Sequence, residues 1–322
     1  MNQTPPRARP TPPEEFDARY ELLERLGQGG FALVYRAVQR STGQQVAVKV
    51  LRQASGLPDD ERQEREARFR REMRVLAQIR HPNVVRLIDA GTWSTGRMYL
   101  VTELVDGQTL HRVVDGRGPM PLAEVRPWML QVLDALSAAH ARGLIHRDIK
   151  PPNIMISPGG LAPRATLLDF GVATVTRAHR TEAFETLTVA GTVIGTPAYL
   201  APELVRGEPA TPRSDLYAWG LVLLECLTGR SLYGGKPLRE VLPPLLSDAP
   251  TPIPAELAPT SVGALLAAAL DKDPTRRASS AAELYQRLEQ ADDAIPLLPT
   301  TGALLPPERS TLASLIDGPD ER

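Results

Sequence analysis

The chain has 322 residues, 42% of them apolar, and a formal net charge of −1. That leaves room for one large or two medium domains with a filled core, and the balanced charge gives no global attraction to nucleic acid or to a membrane surface. One cysteine, Cys226, excludes an internal disulfide framework and a cysteine-based zinc site, and its apolar surroundings (DLYAWGLVLLECL) read as core. There is no signal peptide and no run of about 18 apolar residues, so the chain reads as cytoplasmic, without a membrane span.

Residues 1–16 carry five prolines and no apolar period, the composition of a disordered arm. From Tyr20 the pattern is that of strands: YELLERL, FALVYRAV and QVAVKVL, separated by Gly-Gln-Gly-Gly and by Ser41-Thr42-Gly43. Phe69, Met73, Leu76 and Ile79 then recur at helical spacing in a dense mixture of Arg and Glu. His81-Pro82-Asn83 stops that helix, and two more strands follow, VVRLIDA and RMYLVTEL. The expectation is a small lobe over 17–104 with five strands and one helix.

Val105-Asp106-Gly107 is a natural break, and 108–290 reads as mainly helical. Leu122 to Ala141 is a long amphipathic run, in which Pro127 is expected to trim or bend the helix. Ser214 to Leu227 is apolar nearly all round, as a buried helix would be. Val262–Leu270 and Ala281–Leu288 predict two more helices. The fold class is therefore α+β, two lobes with a cleft between them. Residues 291–322 read as a Pro-rich tail outside the fold, with a short amphipathic piece from Leu312 to Ile316.

The chemistry concentrates between Leu144 and Gly171. Asp148 and Asp169 stand 21 residues apart, with Lys150 and Asn153 between them. Asp148, Lys150 and Asn153 follow an apolar helix end, and Asp169 follows Thr166-Leu167-Leu168, a strand-like triplet. Two strand-flanked loops can bring both acids to one pocket. Two carboxylates and an amide oxygen are hard ligands, suited to Mg²⁺. The spacing H-R-D-x-K-x-x-N followed by D-F-G resembles the catalytic and metal-binding loops of the eukaryotic-type protein kinases. A charged surface loop is the alternative.

Upstream, Leu26-Gly27-Gln28-Gly29-Gly30-Phe31-Ala32-Leu33-Val34 lies between two strands. Glycines there let backbone N–H groups approach phosphates, although a plain hairpin would also explain them. The loop resembles the kinase G-x-G-x-x-G-x-V, with Ala32 for the third glycine. It lacks the G-K-[ST] ending of a Walker loop and precedes a hairpin, unlike a Rossmann fingerprint. Val46-Ala47-Val48-Lys49 then puts a lysine in an apolar strand, which is costly unless its charge is paired. Glu72, on the apolar face of the predicted helix, is the expected partner; the alternative is a surface charge.

The resemblance covers about residues 20–290 and is strongest to bacterial Ser/Thr kinases. It implies ATP and Mg²⁺ as cofactors, with Mn²⁺ as a substitute, and proteins bearing Ser or Thr as substrates. By the same resemblance, Asp148 handles the substrate hydroxyl proton, Lys150 steadies the γ-phosphoryl group, and Asn153 and Asp169 hold the metal. Gly27, Gln28, Gly29 and Gly30 cover the phosphates, and Lys49 reaches them. Val34, Ala47 and Met155 enclose adenine, Thr102 is the gatekeeper, and Glu103 and Val105 offer hinge backbone groups. His146 supports Phe170, in one spine with Leu76 and Leu87. Asp215 binds the backbone of the His-Arg-Asp loop, and Glu203 pairs with Arg277 as a static clamp.

Between Asp169 and Glu203 lie seven threonines. Thr188, then Thr192 and Thr186, are the expected acceptors of a regulatory phosphate that Arg147 would bind, formed in trans within a transient homodimer. Thr196 is expected to contact Asp148 and Lys150. Two other classes stay open: a pseudokinase scaffold, which would need loss of Lys49, Asp148 or Asp169, and a small-molecule phosphotransferase, which lacks the Ala201-Pro202-Glu203 segment.

Overall fold

The computed structural model describes residues 14–28, 32–51, 58–93, 97–159, 162–170 and 198–292. Its first layer is a five-stranded antiparallel sheet, β1 (Tyr20–Gln28), β2 (Ala32–Gln39), β3 (Gln45–Leu51), β4 (Leu87–Thr92) and β5 (Met98–Glu103), in the order β1-β2-β3-β5-β4. Register decides what each face does. Val34 lies opposite Lys49, Ala47 opposite Thr102, and Lys49 opposite Leu100. Cross-strand partners share a face and side chains alternate along a strand, so Val34, Ala47, Lys49, Leu100 and Thr102 all stand on the same side.

Helix α2 (Asp59–Leu76) packs against that side. Its Phe69, Met73 and Leu76 join Ala32, Leu51 and Leu100 in the main core, and Ile79 just past its end is buried with them. The opposite face of the sheet carries a second apolar cluster of Tyr35, Val46, Val48, Tyr99 and Val101. This face corrects the expected extent of the arm. Glu14–Arg19 form a short helix, α1, which delivers Phe16 to within 4.9 Å of the Tyr99 ring and 5.5 Å of Trp93, fully buried. The exposed side of a sheet needs a cover, and the end of the arm supplies it.

The larger lobe holds α3 (Leu110–Arg117), α4 (Leu122–His140), α5 (Pro202–Val205), α6 (Pro212–Thr228), α7 (Leu238–Leu246), α8 (Ser261–Ala269) and α9 (Ala281–Glu289), with a small sheet of β6 (Gln108–Thr109), β7 (Ile154–Ser157) and β8 (Arg164–Leu167). Pro127 does not trim α4. At the sixth position the missing N–H removes one helical bond, and burial of Trp128, Met129, Val132 and Leu133 beyond it outweighs that loss. Helix α6 is buried from Ser214 through Thr228, starts at a Thr211–Ser214 capping box, and ends at Gly229 with φ +71°. A side chain on Gly229 would meet Pro119 N at 2.5 Å, so only glycine fits between α6 and the turn before α4.

Past α9, Ala291 is still buried and Asp292 N–H donates to Ser261 Oγ (3.0 Å), so the fold runs slightly beyond the expected boundary at 290. No helix among the described residues is long and apolar enough to cross a membrane.

Among the described residues, main-chain bonds join the lobes at β8. Val85 N–H donates to Leu167 O (2.9 Å), and Leu167 N–H donates to Asn83 O (2.8 Å). The Asn83 amide adds bonds to Ala165 O (2.7 Å) and to Gln131 Oε1 (3.0 Å), and Gln131 Oε1 also accepts Ala165 N–H (2.7 Å). The turn after α2 is thus fastened to β8, two residues before Asp169.

Candidate active site

The segment from His146 to Asn153 leaves α4 and folds into a 3₁₀ turn, Pro151–Asn153, before β7. Prolines at its start fix the backbone and Asn153 N–H closes on Lys150 O (2.9 Å). This brings three polar side chains together. Asp148 Oδ2 accepts from Lys150 Nζ at 2.8 Å and from Asn153 Nδ2 at 2.9 Å, and Asn153 Nδ2 also donates to Asp148 O at 2.8 Å. Asn153 O accepts the N–H of Leu168 (2.9 Å), which sets Asn153 beside the residue preceding Asp169. Because Asn153 Nδ2 makes both donations, Oδ1 is the end of that amide left to face a cation. A carboxylate at 169 and an amide oxygen at 153 form a hard-oxygen donor set, which fits Mg²⁺.

Arg147 (φ +66°) and Asp169 (φ +65°) are the two non-glycine residues with positive φ among the described residues. Such backbone costs on the order of 1–3 kcal/mol per residue and persists where the surroundings enforce it. For Arg147 the enforcer is Asp215 at the start of α6. Its carboxylate accepts His146 N–H at Oδ2 (2.8 Å), Arg147 N–H at Oδ1 (2.8 Å) and His140 Nε2 at Oδ2 (2.8 Å). His146 is fully buried, and burial pushes its imidazole below the usual pKa. The neutral ring has one consistent tautomer: Nε2–H donates to Leu168 O (2.7 Å) and Nδ1 accepts Asp148 N–H (3.3 Å). Its ring lies 4.4 Å from the Phe170 ring, centroid to centroid, tilted by 58°. One histidine therefore ties the Asp148 loop to the Asp169 loop.

The ion pairs depart from the expected pattern. Lys49 does not pair with Glu72. Lys49 Nζ sits 2.7 Å from Asp169 Oδ2, and Arg147 Nη1 sits 2.8 Å from Glu72 Oε1. Asp215 fixes the Arg147 backbone, and from there the guanidinium reaches Glu72 on α2. Glu72 still has a buried oxygen, Oε2, with no hydrogen-bond partner among the described residues.

The described residues expected around the nucleotide come from both lobes: most lie on the five-stranded sheet, and Met155 lies on β7 of the larger lobe. Gly27 pairs with Val34 and Gln28 with Leu33 at the mouth of the β1–β2 hairpin. Val34, Ala47 and Thr102 line the inner sheet face, and half-buried Met155 lies on β7 opposite Thr166. Glu103 N–H already donates to Arg86 O (3.1 Å), so that residue does not offer its N–H to a ligand; Val105 follows it out of β5. Gly107 holds φ +135°, where a Cβ would meet Ile156 O at 2.2 Å, and this close approach seats the break between lobes on β7. Gly29, Gly30, Thr186, Thr188, Thr192 and Thr196 lie outside the described residues.

Farther from the seam, Glu203 on α5 and Arg277 form a buried fork: Nη1–Oε1 2.8 Å and Nη2–Oε2 3.0 Å, with Ser214 Oγ donating to Oε1 at 2.8 Å. The Asn83–Gln131 fastening and the bond from Tyr199 OH to buried Glu225 (2.5 Å) were not read from the sequence. Asn83 was visible only as part of a helix stop, and a lone Gln131 on α4 carried no signal.

A five-stranded sheet over a helical lobe, with paired carboxylates at the seam, is the architecture of a protein kinase. The protein kinase domain family model matches residues 20–288, and the chain belongs to that family. Among curated relatives it is similar to the serine/threonine-protein kinase pkn2 of Myxococcus xanthus, 39% identical over 87% of this chain and 33% of the relative. Pkn3 of the same organism is 37% identical over 85% of this chain and 50% of its own length. A probable serine/threonine-protein kinase PknB of Bifidobacterium longum is 38% identical over 82% of this chain and 38% of its own. The chain thus spans a third to a half of the length of these relatives.

Proposed function

We propose that this chain is an ATP-dependent serine/threonine protein kinase that moves the γ-phosphoryl group of ATP to protein hydroxyls. The observation that carries the reading is the hydrogen-bonded unit Asp148–Lys150–Asn153, joined through His146 and Leu168 to Asp169. Asp148 orients the substrate hydroxyl and accepts its proton. Lys150, held at the same carboxylate, steadies the transferring group. Asn153 and Asp169 hold a divalent cation, Mg²⁺ or Mn²⁺, which neutralises charge on the phosphate oxygens. Lys49 and Gly27 to Gly30 position the phosphates, and Val34, Ala47, Thr102, Val105 and Met155 enclose the base. Asp215, Glu203 and Arg277 hold the loops in place without touching substrate.

The choice of serine and threonine rests on the Lys150 run, on Gly195–Tyr199, and on the relatives. Control by phosphate at Thr188, Thr192 or Thr186, placed in trans within a transient homodimer, belongs to the same reading, with Arg147 as the receiving guanidinium. So do a cytoplasmic location and a role for Thr196 beside Asp148. A scaffold without activity would be expected to lack Lys49, Asp148 or Asp169, and the chain keeps all three.

The test is incubation of purified protein with labelled ATP and Mg²⁺, with and without a generic basic protein, alongside Asp148→Asn. Label on Ser or Thr with the parent chain alone supports the reading; equal label with both proteins, or with neither, overturns it. Mass spectrometry of the same two proteins places any phosphate between Thr186 and Thr192.

A further inference from the structure

The loop between α6 and α7 holds more positive charge than its acids balance. Residues 229–240 contain Arg230, Lys236 and Arg239 against one acid, Glu240. Glu240 is shared: its Oε1 lies 3.9 Å from Arg239 Nη2, and its charge also reaches Lys236. Burial and the neighbouring Arg230 charge together push the Lys236 ammonium below its usual pKa, so the two cations are neighbours. Arg230 makes no ion pair among the described residues, and its Nε is a buried donor with no hydrogen-bond partner among them. A buried, charged donor left unmade is costly unless an acceptor from outside the chain completes it.

Helix α6 fixes the position of this loop relative to Asp148. Asp215, near the start of that helix, takes the N–H of Arg147, the residue before Asp148, and Gly229 caps the other end. Along the axis the two ends lie about 21 Å apart, at about 1.5 Å per residue. An extended peptide, at about 3.3 Å per residue, covers that span in roughly six residues. Tyr199 and Glu225 stand on the way, joined by a 2.5 Å hydrogen bond from the hydroxyl to the carboxylate. Ser231, next to Arg230, is a polar neighbour of the same hydroxyl. Burial raises the Glu225 pKa and Tyr199 takes one of its oxygens, so Glu225 is not the missing counter-ion of Arg230. On the side of α3, a side chain on Gly229 would strike the Gly118–Pro119 turn, so the loop is seated against that turn.

We infer that Arg230, with Lys236 beside it, is a substrate-specificity site that takes an anionic side chain of the protein substrate, a carboxylate or a phosphate, roughly five to seven residues from the acceptor hydroxyl. The inference rests on the reading of Asp148 as the group that meets that hydroxyl. A guanidinium offers paired N–H groups in a plane that matches either anion, and the Lys236 ammonium adds a second charge. The loop is set in advance: Thr228 Oγ1 lies 3.0 Å from Arg230 O, and Gly234 N–H donates to Ser231 Oγ (3.0 Å). Little backbone freedom is lost when the anion arrives, which leaves more of the contact as affinity.

The experiment is phosphorylation kinetics with peptides that carry one Ser acceptor in a neutral frame. A single Glu, or a single phosphothreonine, is walked along either side of the acceptor, out to roughly eight positions. In the parent, kcat/KM should rise roughly tenfold over the neutral peptide when the anion stands about six positions away, the scale of one hydrogen bond to a charged group, with the change in KM rather than kcat. Arg230→Gln should bring that ratio to about one, and Lys236→Gln should lower it part of the way. Arg230→Glu should reverse the preference, favouring Lys over Glu at the same position, which a misfolded loop would not do. A gain shared by Glu and phosphothreonine assigns a plain acidic residue; a gain confined to phosphothreonine assigns a substrate already phosphorylated; both support the site. No positional preference in the parent, or a preference that survives in Arg230→Gln, overturns the site, while label on the neutral peptide keeps the kinase reading. No label on any peptide or on the generic basic protein overturns the kinase reading, and the site with it.

Discussion

The carboxylate of Asp215 accepts the backbone N–H of Arg147 at 2.8 Å, and Arg147 is the residue held at φ +66°. The same carboxylate takes His146 N–H and His140 Nε2, so three donors converge on two oxygens. An amide cannot accept all three. Asp215→Asn should destabilise the fold by about 1.5–3 kcal/mol, the range for hydrogen bonds to a charged group, and should lower turnover further by releasing the Asp148 loop. Urea denaturation and the phosphoryl-transfer assay read both effects; unchanged values in both would show that the loop holds its shape unaided.

Asp169→Asn should leave the fold intact and cut turnover by about a hundredfold or more, the scale on which charge stabilisers act. Asn tolerates the left-handed backbone that residue 169 adopts, which separates the chemical loss from a folding loss. Lys49→Met should likewise give a folded, nearly inactive protein. Circular dichroism together with the ATP assay checks both, and wild-type turnover in either would remove that residue from the site.

Glu203 and Arg277 are almost wholly buried, with 2% and 0% of their side chains exposed. Burial opposes the Glu203 charge, but the Arg277 fork and Ser214 outweigh it and hold its pKa below the usual glutamate range. A depressed carboxylate stabilises the fold above its ordinary pKa, and the contribution is lost as pH falls through the lowered value. His146 acts in the same direction: its pKa is lowered by burial, so stability falls as pH drops below the ordinary histidine value of about 6.5, where only the unfolded chain gains the proton. Arg277→Met should cost about 3–5 kcal/mol at neutral pH and should flatten the acid-side loss below roughly pH 4.5. Arg277→Lys should not restore the parent, since a point charge cannot make the fork or reach Asp271 O and Arg213 O together. Thermal unfolding from pH 3 to 8 checks each of these.

Local signals made much of this legible in advance. Periodicity placed the five strands, α2, α6, α8 and α9, because each buries one consistent face or all of itself. Spacing singled out Asp148, Lys150, Asn153 and Asp169, because short loops carry them. What it could not reach were contacts between distant segments chosen by backbone register. Lys49 meets Asp169 while Glu72 meets Arg147, two contacts between distant segments that no local pattern distinguishes from the reverse pairing. Phe16 lay in a Pro-rich arm with no period, and its burial depends on an open sheet face formed by residues up to 85 positions later. Gln131 is one polar residue in a long helix until β8 and Asn83 converge on it.

Thr102 lies on the inner sheet face opposite Ala47. On the proposed reading of Thr102 as the residue behind the base, Thr102→Met should weaken inhibitors that reach past the adenine far more than it weakens ATP. Competition binding against a labelled nucleotide reads both affinities in one titration; equal loss of the two would put the hinge elsewhere.

The C-terminal segment should divide sharply between Gln290 and Asp292. Ala291 is buried, its carbonyl accepts Arg126 Nη2 from α4, and Asp292 N–H caps onto Ser261 Oγ at the start of α8. These contacts fasten the end of α9 to two other helices. A chain ending after Asp292 should keep the parent's stability and turnover, because the 30 residues beyond it have too few periodic apolar positions to add a core layer. A chain ending at Gln290 should lose about 1 kcal/mol or more, from the lost Ala291 carbonyl contact of Arg126 and the exposed edge of α9. Denaturant midpoints of the two truncations decide it. Equal stability would show that Ala291 is a passive passenger, and failure of the longer chain to fold would assign part of the core to residues 293–322.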